Sequence, residues 1–319
     1  MNLIEITKNL QENERLTSGH RLCAGCGEPI NLKLVLSAIK EPLVIINATS
    51  CLEVATTIYP YTAWKTPWIH NAFENASATA SGVIEAYKTI LKRKPADRPK
   101  WAQKMPKNVK FLVIGGDGGT NDIGLQSLSG ALERGHQFLY VCYDNGAYMN
   151  TGNQRSGATP RGAHTTTSVA GKVQQGKNEY RKDLPAIIEG HHLGFVAQSS
   201  IAHFADLTEK VKKAMATEGP SFINLISPCQ RSWGFDPSQT IQVAKMAVET
   251  NYWPLYEVID GKFKLNYVPK KKVPIAEWFK MQKRFKHLLK PENIKLVEEI
   301  QKHTDERFAK LQKRAECGY

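Results

Sequence analysis

Two groups of residues in this 319-residue chain have the types and spacing to do chemistry. The first is Cys23 and Cys26 in RLCAGCGEPI, a CxxC pair with Gly27 and Glu28 directly behind it. Such a pair serves as half a zinc site, as a redox disulfide, or as part of an iron–sulfur ligand set. Cys51 in NATSCLEV and Cys229 in SPCQ each follow directly on an apolar run. The second group lies in VIGGDGGTNDIGLQSLSGALERGHQFLYVCYDNGAYMNTG, where a strand runs into Gly115–Gly119, a helix follows, and the next strand ends at Asp144, Asn145 and Gly146. The glycines let backbone approach a phosphate closely, and the helix N-terminus behind them offers unpaired N–H groups. Asp117 supplies a carboxylate oxygen and Asn145, 28 positions further on, an amide oxygen. With a diphosphate and water, these oxygens suit octahedral Mg2+. The turn carries neither GxGxxG nor GxxxxGK[ST], so nicotinamide and P-loop readings do not fit.

These residues need a scaffold that brings distant segments together. Short apolar runs at Pro42–Asn47, Val109–Gly116, Gln137–Asp144 and Ser221–Ser227 read as buried strands. Between them, PINLKLVLSAI, NASATASGVIEAYKTIL, NDIGLQSLSGALERG and FADLTEKVKKAMA read as helices. This alternation predicts an α/β fold with a mostly parallel sheet. In such a sheet the strand C-terminal ends share one edge, the edge where ligands bind. Cys51 and Cys229 are therefore expected beside the GDG loop. A zinc ribbon would use two close CxxC knuckles and only one is present, whereas a 4Fe–4S cluster accepts widely separated cysteines. A long polar segment from Asn150 to Asp183 interrupts the rhythm, and loops of that length are usually functional. Beyond Gln230 come a helix at Thr240–Thr250, a hairpin in WPLYEVIDGKFKLNYV turning at Asp260 and Gly261, and charged helices. The expected division is a cofactor-binding domain over residues 1–230 and a C-terminal arm or subdomain for subunit contacts over 231–319.

Composition narrows the function. The formal charge is +13, with much of the excess in PKKKVPIAEWFKMQKRFKHLLKPENIKL. No aromatic-interleaved basic pattern accompanies it, so a solvated or partner-docking face is expected and nucleic acid is not. The N-terminus lacks signal-peptide order, and no apolar run reaches the ~18 to 20 residues that cross a bilayer. A soluble, cytoplasmic chain without a membrane role is expected. Six cysteines are too few and too scattered for a secreted disulfide scaffold. Cys142 sits within a strand and reads as core, and Cys317 lies in the tail. His70 and His136 carry no assigned catalytic role.

The pairing of GDG with a downstream Asn resembles the thiamine diphosphate motif. Together with the cysteines, the segments GHRLCAGCGEPI, NATSCLEV, CYDNGAYMNTGNQRSGATP, SPCQRSW and AVETNYWPLYE make the chain resemble the β subunit of a multi-subunit 2-oxoacid:ferredoxin oxidoreductase of the pyruvate type. The resemblance implies a thiamine diphosphate-binding fold, with Cys23, Cys26, Cys51 and Cys229 holding one 4Fe–4S cluster. It places Glu28 and Cys51 against the thiamine, and Gly116, Asp117, Gly118, Gly119, Asn145, Ala147, Tyr148 and Asn150 around the diphosphate. Mg2+ would be held by Asp117, Asn145 and the carbonyl of Ala147, and Asn150 would reach the reacting thiazolium end as the catalytic residue. The implied reaction is oxidative decarboxylation of a 2-oxoacid, with coenzyme A as acyl acceptor and ferredoxin as final electron acceptor. Only one diphosphate domain is present, so the activating glutamate and further clusters would come from alpha, gamma and delta-type subunits.

Three positions depart from the pyruvate pattern: Gly119 stands where Asp is common, Gly146 where Glu is common, and Asn153 where an aliphatic residue is common. The third would favour a more polar substrate, which makes oxalate, handled without coenzyme A, the competing one. A zinc-stabilised nucleic-acid-binding protein would leave Asp117 and Asn145 without a role. A non-oxidative thiamine decarboxylase or synthase would have no use for four convergent cysteines.

Overall fold

Successive residues of a strand face opposite sides of its sheet, and here both sides are apolar. Ile45, Leu112 and Val141 bury on one face, while Ile46, Val113 and Cys142 bury on the other. Strands of this kind must be covered on both faces. The computed structural model, which describes residues 1–318, meets that demand with a doubly covered sheet.

The helices are α1 (Leu3–Glu12), α2 (Gly27–Ser37), α3 (Cys51–Thr56), α4 (Ala76–Lys92), α5 (Leu125–Glu133), α6 (Leu184–Glu189), α7 (Phe204–Ala216), α8 (Thr240–Glu249), α9 (Ile275–Lys280) and α10 (Ile294–Cys317). The strands are β1 (Leu43–Ala48), β2 (Trp68–Asn71), β3 (Lys110–Gly116), β4 (Leu139–Asp144), β5 (Phe195–Ser200), β6 (Ser221–Ile226), β7 (Tyr256–Ile259) and β8 (Lys262–Leu265). They form one sheet in the order β2-β1-β3-β4-β6-β5-β7-β8, parallel through β5 and antiparallel at β7 and β8. Helices α2 and α7 cover one face through Val35, Leu36, Leu207 and Val211. Helices α4, α5 and α6 cover the other through Ala80, Ile84, Leu128 and Ile188.

All four expected strands form, and Cys142 is fully buried. The hairpin also forms, with Asp260 and Gly261 at φ 48° and 78°, the paired positive angles of a type I′ turn. Its strands extend the main sheet past β5. A third apolar cluster around Trp233, Trp253, Trp278 and Phe285 joins α8, α9 and α10. Strand β5 reads poorly from sequence because FVAQSS is half polar. Its buried polar groups are nonetheless matched: Gln198 donates to the Pro254 carbonyl at 2.8 Å, and the Gln198 carbonyl accepts from the Lys210 ammonium at 2.9 Å. No helix among the described residues is long and apolar enough to cross a membrane.

The polar segment from Asn150 to Asp183 is held by side chains where regular ladders are missing. The buried ammonium of Lys177 donates to the carbonyls of Ser156, Gly157 and Thr159 at 3.1, 3.3 and 3.0 Å. Lys177→Met keeps most of the length and strands those carbonyls. It is expected to destabilise the chain by about 3 kcal/mol, read as a lower urea midpoint.

Candidate active site

Parallel register aligns the strand ends that carry the candidate residues. Gly116 of β3 lies opposite Tyr143 of β4, and Asp144 lies opposite Ile226 of β6. The residues that follow, Asp117, Asn145 and Cys229, therefore leave the sheet at one edge, together with Cys51 just past β1. Between β3 and α5 the chain makes a wide turn at Gly119–Ile123, closed by Gly124 N–H donating to the Gly119 carbonyl at 2.7 Å. This i to i+5 pattern is uncommon and recurs at functional sites.

A small cleft opens here, lined by Cys51, Gly116, Gly118, Asn145, Ala147 and Asn150, with Asn150 exposed at its mouth. Tyr148 and Gly119 line it as well. The Tyr148 hydroxyl donates to the Gly118 carbonyl at 2.9 Å, and its ring lies across Gly118 so closely that an added Cβ would sit 2.5 Å from it. Only glycine fits beneath this ring. Gly118→Val is expected to displace Tyr148, cost about 1 to 3 kcal/mol by overpacking, and weaken thiamine diphosphate binding by at least about tenfold, read by calorimetry.

Asp117 is 1% exposed. Its Oδ1 accepts the Asn145 N–H at 3.1 Å and its Oδ2 accepts the Ser156 hydroxyl. Burial pushes this carboxyl well above the usual carboxylate range, and the charge of Asp144 pushes it further. Asp144 has its own cation in the partly buried Arg181 and also accepts the Gly146 N–H at 3.1 Å. Among the described residues Asp117 has no cation paired to it, and a buried carboxyl in that setting is offset either by taking up a proton or by a bound cation.

Asn145 connects this loop to the cysteines. Its Nδ2 donates to Glu28 Oε1 at 3.2 Å, and its carbonyl accepts the Trp233 indole N–H at 2.7 Å. Glu28 is buried, desolvation raises its carboxyl to about 7, and its second oxygen has no partner among the described residues. The CxxC turn is closed by Cys26 N–H donating to the Cys23 carbonyl at 3.0 Å. It docks on the Cys229 loop through Gly27 N–H donating to the Pro228 carbonyl at 3.1 Å, and Thr240 donates to the Gly25 carbonyl. Burial raises the thiols of Cys26, Cys51 and Cys229, and each of the three also feels the charge of another cysteine of the set. Cys23 is exposed. Among the described residues no three His, Cys, Asp or Glu side chains stand close enough to hold a metal ion, so the thiols share a neighbourhood without converging on a point. Thiolate ligands lose their protons as part of metal binding, and buried thiols have no reason to converge beforehand.

The three departing positions each have a local structural setting. A Cβ on Gly119 would lie 3.0 Å from the Phe73 carbonyl. Gly146 has φ 75° and faces Arg284 and Pro160, while Asn153, at φ 64°, accepts from the Ser232 hydroxyl at 2.5 Å. Asparagine is among the side chains that tolerate a left-handed backbone, so the residue type at 153 follows from the turn. His70 Nδ1 lies 2.7 Å from Glu53 Oε1, and buried His136 pairs with Glu85 at 3.3 Å. Sequence reasoning missed Arg181, Ser156, Lys177, Trp233 and Arg284. The first three sit in the polar segment without any spacing signature, and Arg284 lies inside the basic run.

Residues 49–225 match the family model described as thiamine pyrophosphate enzyme, C-terminal TPP binding domain. That span includes the cleft and Cys51 but not Cys23, Cys26 or Cys229. The chain is 49% identical to pyruvate synthase subunit PorB of Methanocaldococcus jannaschii, over 95% of this chain and 98% of that protein. It is 47% identical to PorB of Thermotoga maritima, over 98% and 95%. Against the ketoisovalerate oxidoreductase subunit VorB of Pyrococcus abyssi it is 39% identical, over 95% and 94%. A solved 2-oxoglutarate:ferredoxin oxidoreductase from Magnetococcus marinus shares the fold, with a TM-score of 0.53 at 18% identity over 73% of this chain and 79% of that one. The thiamine-binding match and the nearly full-length identities make this chain a member of the PorB family, the β subunits of pyruvate-type 2-oxoacid:ferredoxin oxidoreductases.

Proposed function

We propose that this chain is the catalytic β subunit that converts pyruvate and coenzyme A to acetyl-CoA and CO2, passing the electrons through one 4Fe–4S cluster to ferredoxin. The observation that carries the reading is the direct coupling of the two loops. Glu28, two residues past Cys26, accepts from Asn145 of the diphosphate loop, and Gly27 N–H is bound to the Pro228 carbonyl beside Cys229. The cysteines and the cleft are thus one site, which suits electron transfer over a short path.

In this reading Asp117, Asn145 and the Ala147 carbonyl hold Mg2+, and Asp117 fits because it is buried without a cation of its own. Cys23, Cys26, Cys51 and Cys229 hold the cluster, and the docking of the CxxC turn on the Cys229 loop supports their grouping. Thiamine diphosphate, when bound, supplies the electron sink for decarboxylation. Asn150, exposed at the mouth, faces the substrate. The activating glutamate and further clusters come from alpha, gamma and delta-type partner subunits. The Asn153 oxygen accepts the Ser232 hydroxyl, and the pyruvate synthase relatives support pyruvate over oxalate.

The test is anaerobic isolation of the whole complex with metal and thiamine analysis, then viologen reduction with pyruvate, 2-oxoisovalerate and oxalate, each with and without coenzyme A. Iron, bound thiamine and turnover that needs both pyruvate and coenzyme A are expected. Turnover confined to oxalate, or a complex without iron, overturns the proposal.

A further inference from the structure

A basic run often marks a solvated face, but one of its members here is buried. Arg284, in a 3-10 turn spanning Lys283–Leu289, is 4% exposed. Its guanidinium carbon lies 3.8 Å from the centre of the Trp233 ring, 5.0 Å from that of Phe285 and 5.6 Å from that of Trp278. Its Nε donates to the neutral Gln282 Oε1 at 2.8 Å, and its buried Nη2 has no partner among the described residues. It makes no ion pair among the described residues. Burial pushes this guanidinium down, to about 9. An unpaired buried cation is costly unless anionic groups nearby offset it.

The groups it faces are those of the site. Tyr252, Cys229 and Asp144 act on it favourably, and the nearby Arg181 acts against it. The Trp233 ring beneath it belongs to the loop of Cys229, whose carbonyl accepts the Trp233 N–H at 2.9 Å. On its other side, a Cβ added to Gly146 would lie 3.1 Å from Nη1. Arg284 thus sits where the cysteine loop and the diphosphate loop meet, with its charge left over for whatever they bind.

We infer that Arg284 is a positioning residue whose fixed positive charge, delivered at the Cys229 end of the cysteine set, raises the midpoint reduction potential of the cluster held there. The inference rests on the cluster reading proposed above. A one-electron reduction adds a negative charge to the cluster, and a cation that stays in place stabilises the reduced form most. Its place among the aromatic rings, without a carboxylate partner, keeps that charge from being cancelled locally.

The test is an EPR-monitored redox titration of the complete complex, reading the component that Cys229→Ser removes. Arg284→Met is expected to shift that midpoint to more negative potential by at least a tenfold change in the oxidised-to-reduced ratio, 59 mV for one electron. Arg284→Lys, which keeps the charge, should shift it less. Gln282→Glu keeps the side-chain shape and places a carboxylate against the guanidinium, so it should shift the midpoint in the same direction as Arg284→Met; it also decides the matter if Arg284→Met does not assemble. An iron-bearing complex whose midpoint is the same in Arg284→Met and Gln282→Glu overturns this inference and leaves the proposed function standing. A wild-type complex without iron overturns both.

Discussion

Cys229→Ser is expected to abolish pyruvate-dependent dye reduction, with a loss larger than the 10- to 100-fold typical of residues that merely support a metal ligand. The substitution is nearly isosteric. The backbone that docks the CxxC turn, the Pro228 carbonyl accepting Gly27 N–H, is untouched, so the fold and the thiamine cleft should survive. A serine hydroxyl is a poor replacement for a thiolate on iron, because it is harder and does not lose its proton near neutral pH. The expected signature is therefore split: iron content and dye reduction fall, while bound thiamine and thermal stability stay close to wild type. Retained activity would instead favour a non-oxidative thiamine enzyme, which has no need of this cysteine.

Asp117→Asn separates binding from stability in the opposite sense. The carboxylate is 1% exposed, has no cation paired to it among the described residues, and lies near Asp144, so its charge burdens the cofactor-free fold. The amide retains an oxygen that can accept either the Asn145 N–H or the Ser156 hydroxyl. Removing the charge should leave the cofactor-free chain as stable as wild type or more stable by about 1 kcal/mol. Mg2+-dependent binding of thiamine diphosphate should weaken by at least about a hundredfold, because the anionic oxygen proposed to hold the ion is gone. Calorimetry on both proteins with and without Mg2+ reads the two effects separately. A variant that is destabilised but binds normally would make Asp117 a structural residue only.

What was legible from sequence followed from local chemistry. The four central strands are short apolar runs flanked by polar residues. The Gly-rich turn and the aspartate after it are contiguous, and the parallel arrangement then places Asn145, Cys51 and Cys229 on the same edge. Strand β5 was missed because Gln198, Ser199 and Ser200 look like a loop until their buried partners are known. Arg181 and Lys177 lie in a segment with no period, and their contacts with Asp144 and the Ser156–Thr159 carbonyls are purely tertiary. Arg284 was hidden by composition: a lysine-rich stretch conceals one arginine that points inward. Glu28, expected against the thiamine, is buried and bonded to Asn145 of the cleft lining.

The central claim is that the cysteine set and the thiamine cleft form one electron-transferring site. Its most direct test is to mix the anaerobic complex rapidly with pyruvate, without coenzyme A or ferredoxin, freeze within a single turnover, and record the EPR spectrum. Prompt appearance of a reduced 4Fe–4S signal, absent in a Cys229→Ser complex that still binds thiamine, is the predicted result. Pyruvate consumed with no cluster reduced, or zinc found in place of iron, would contradict it.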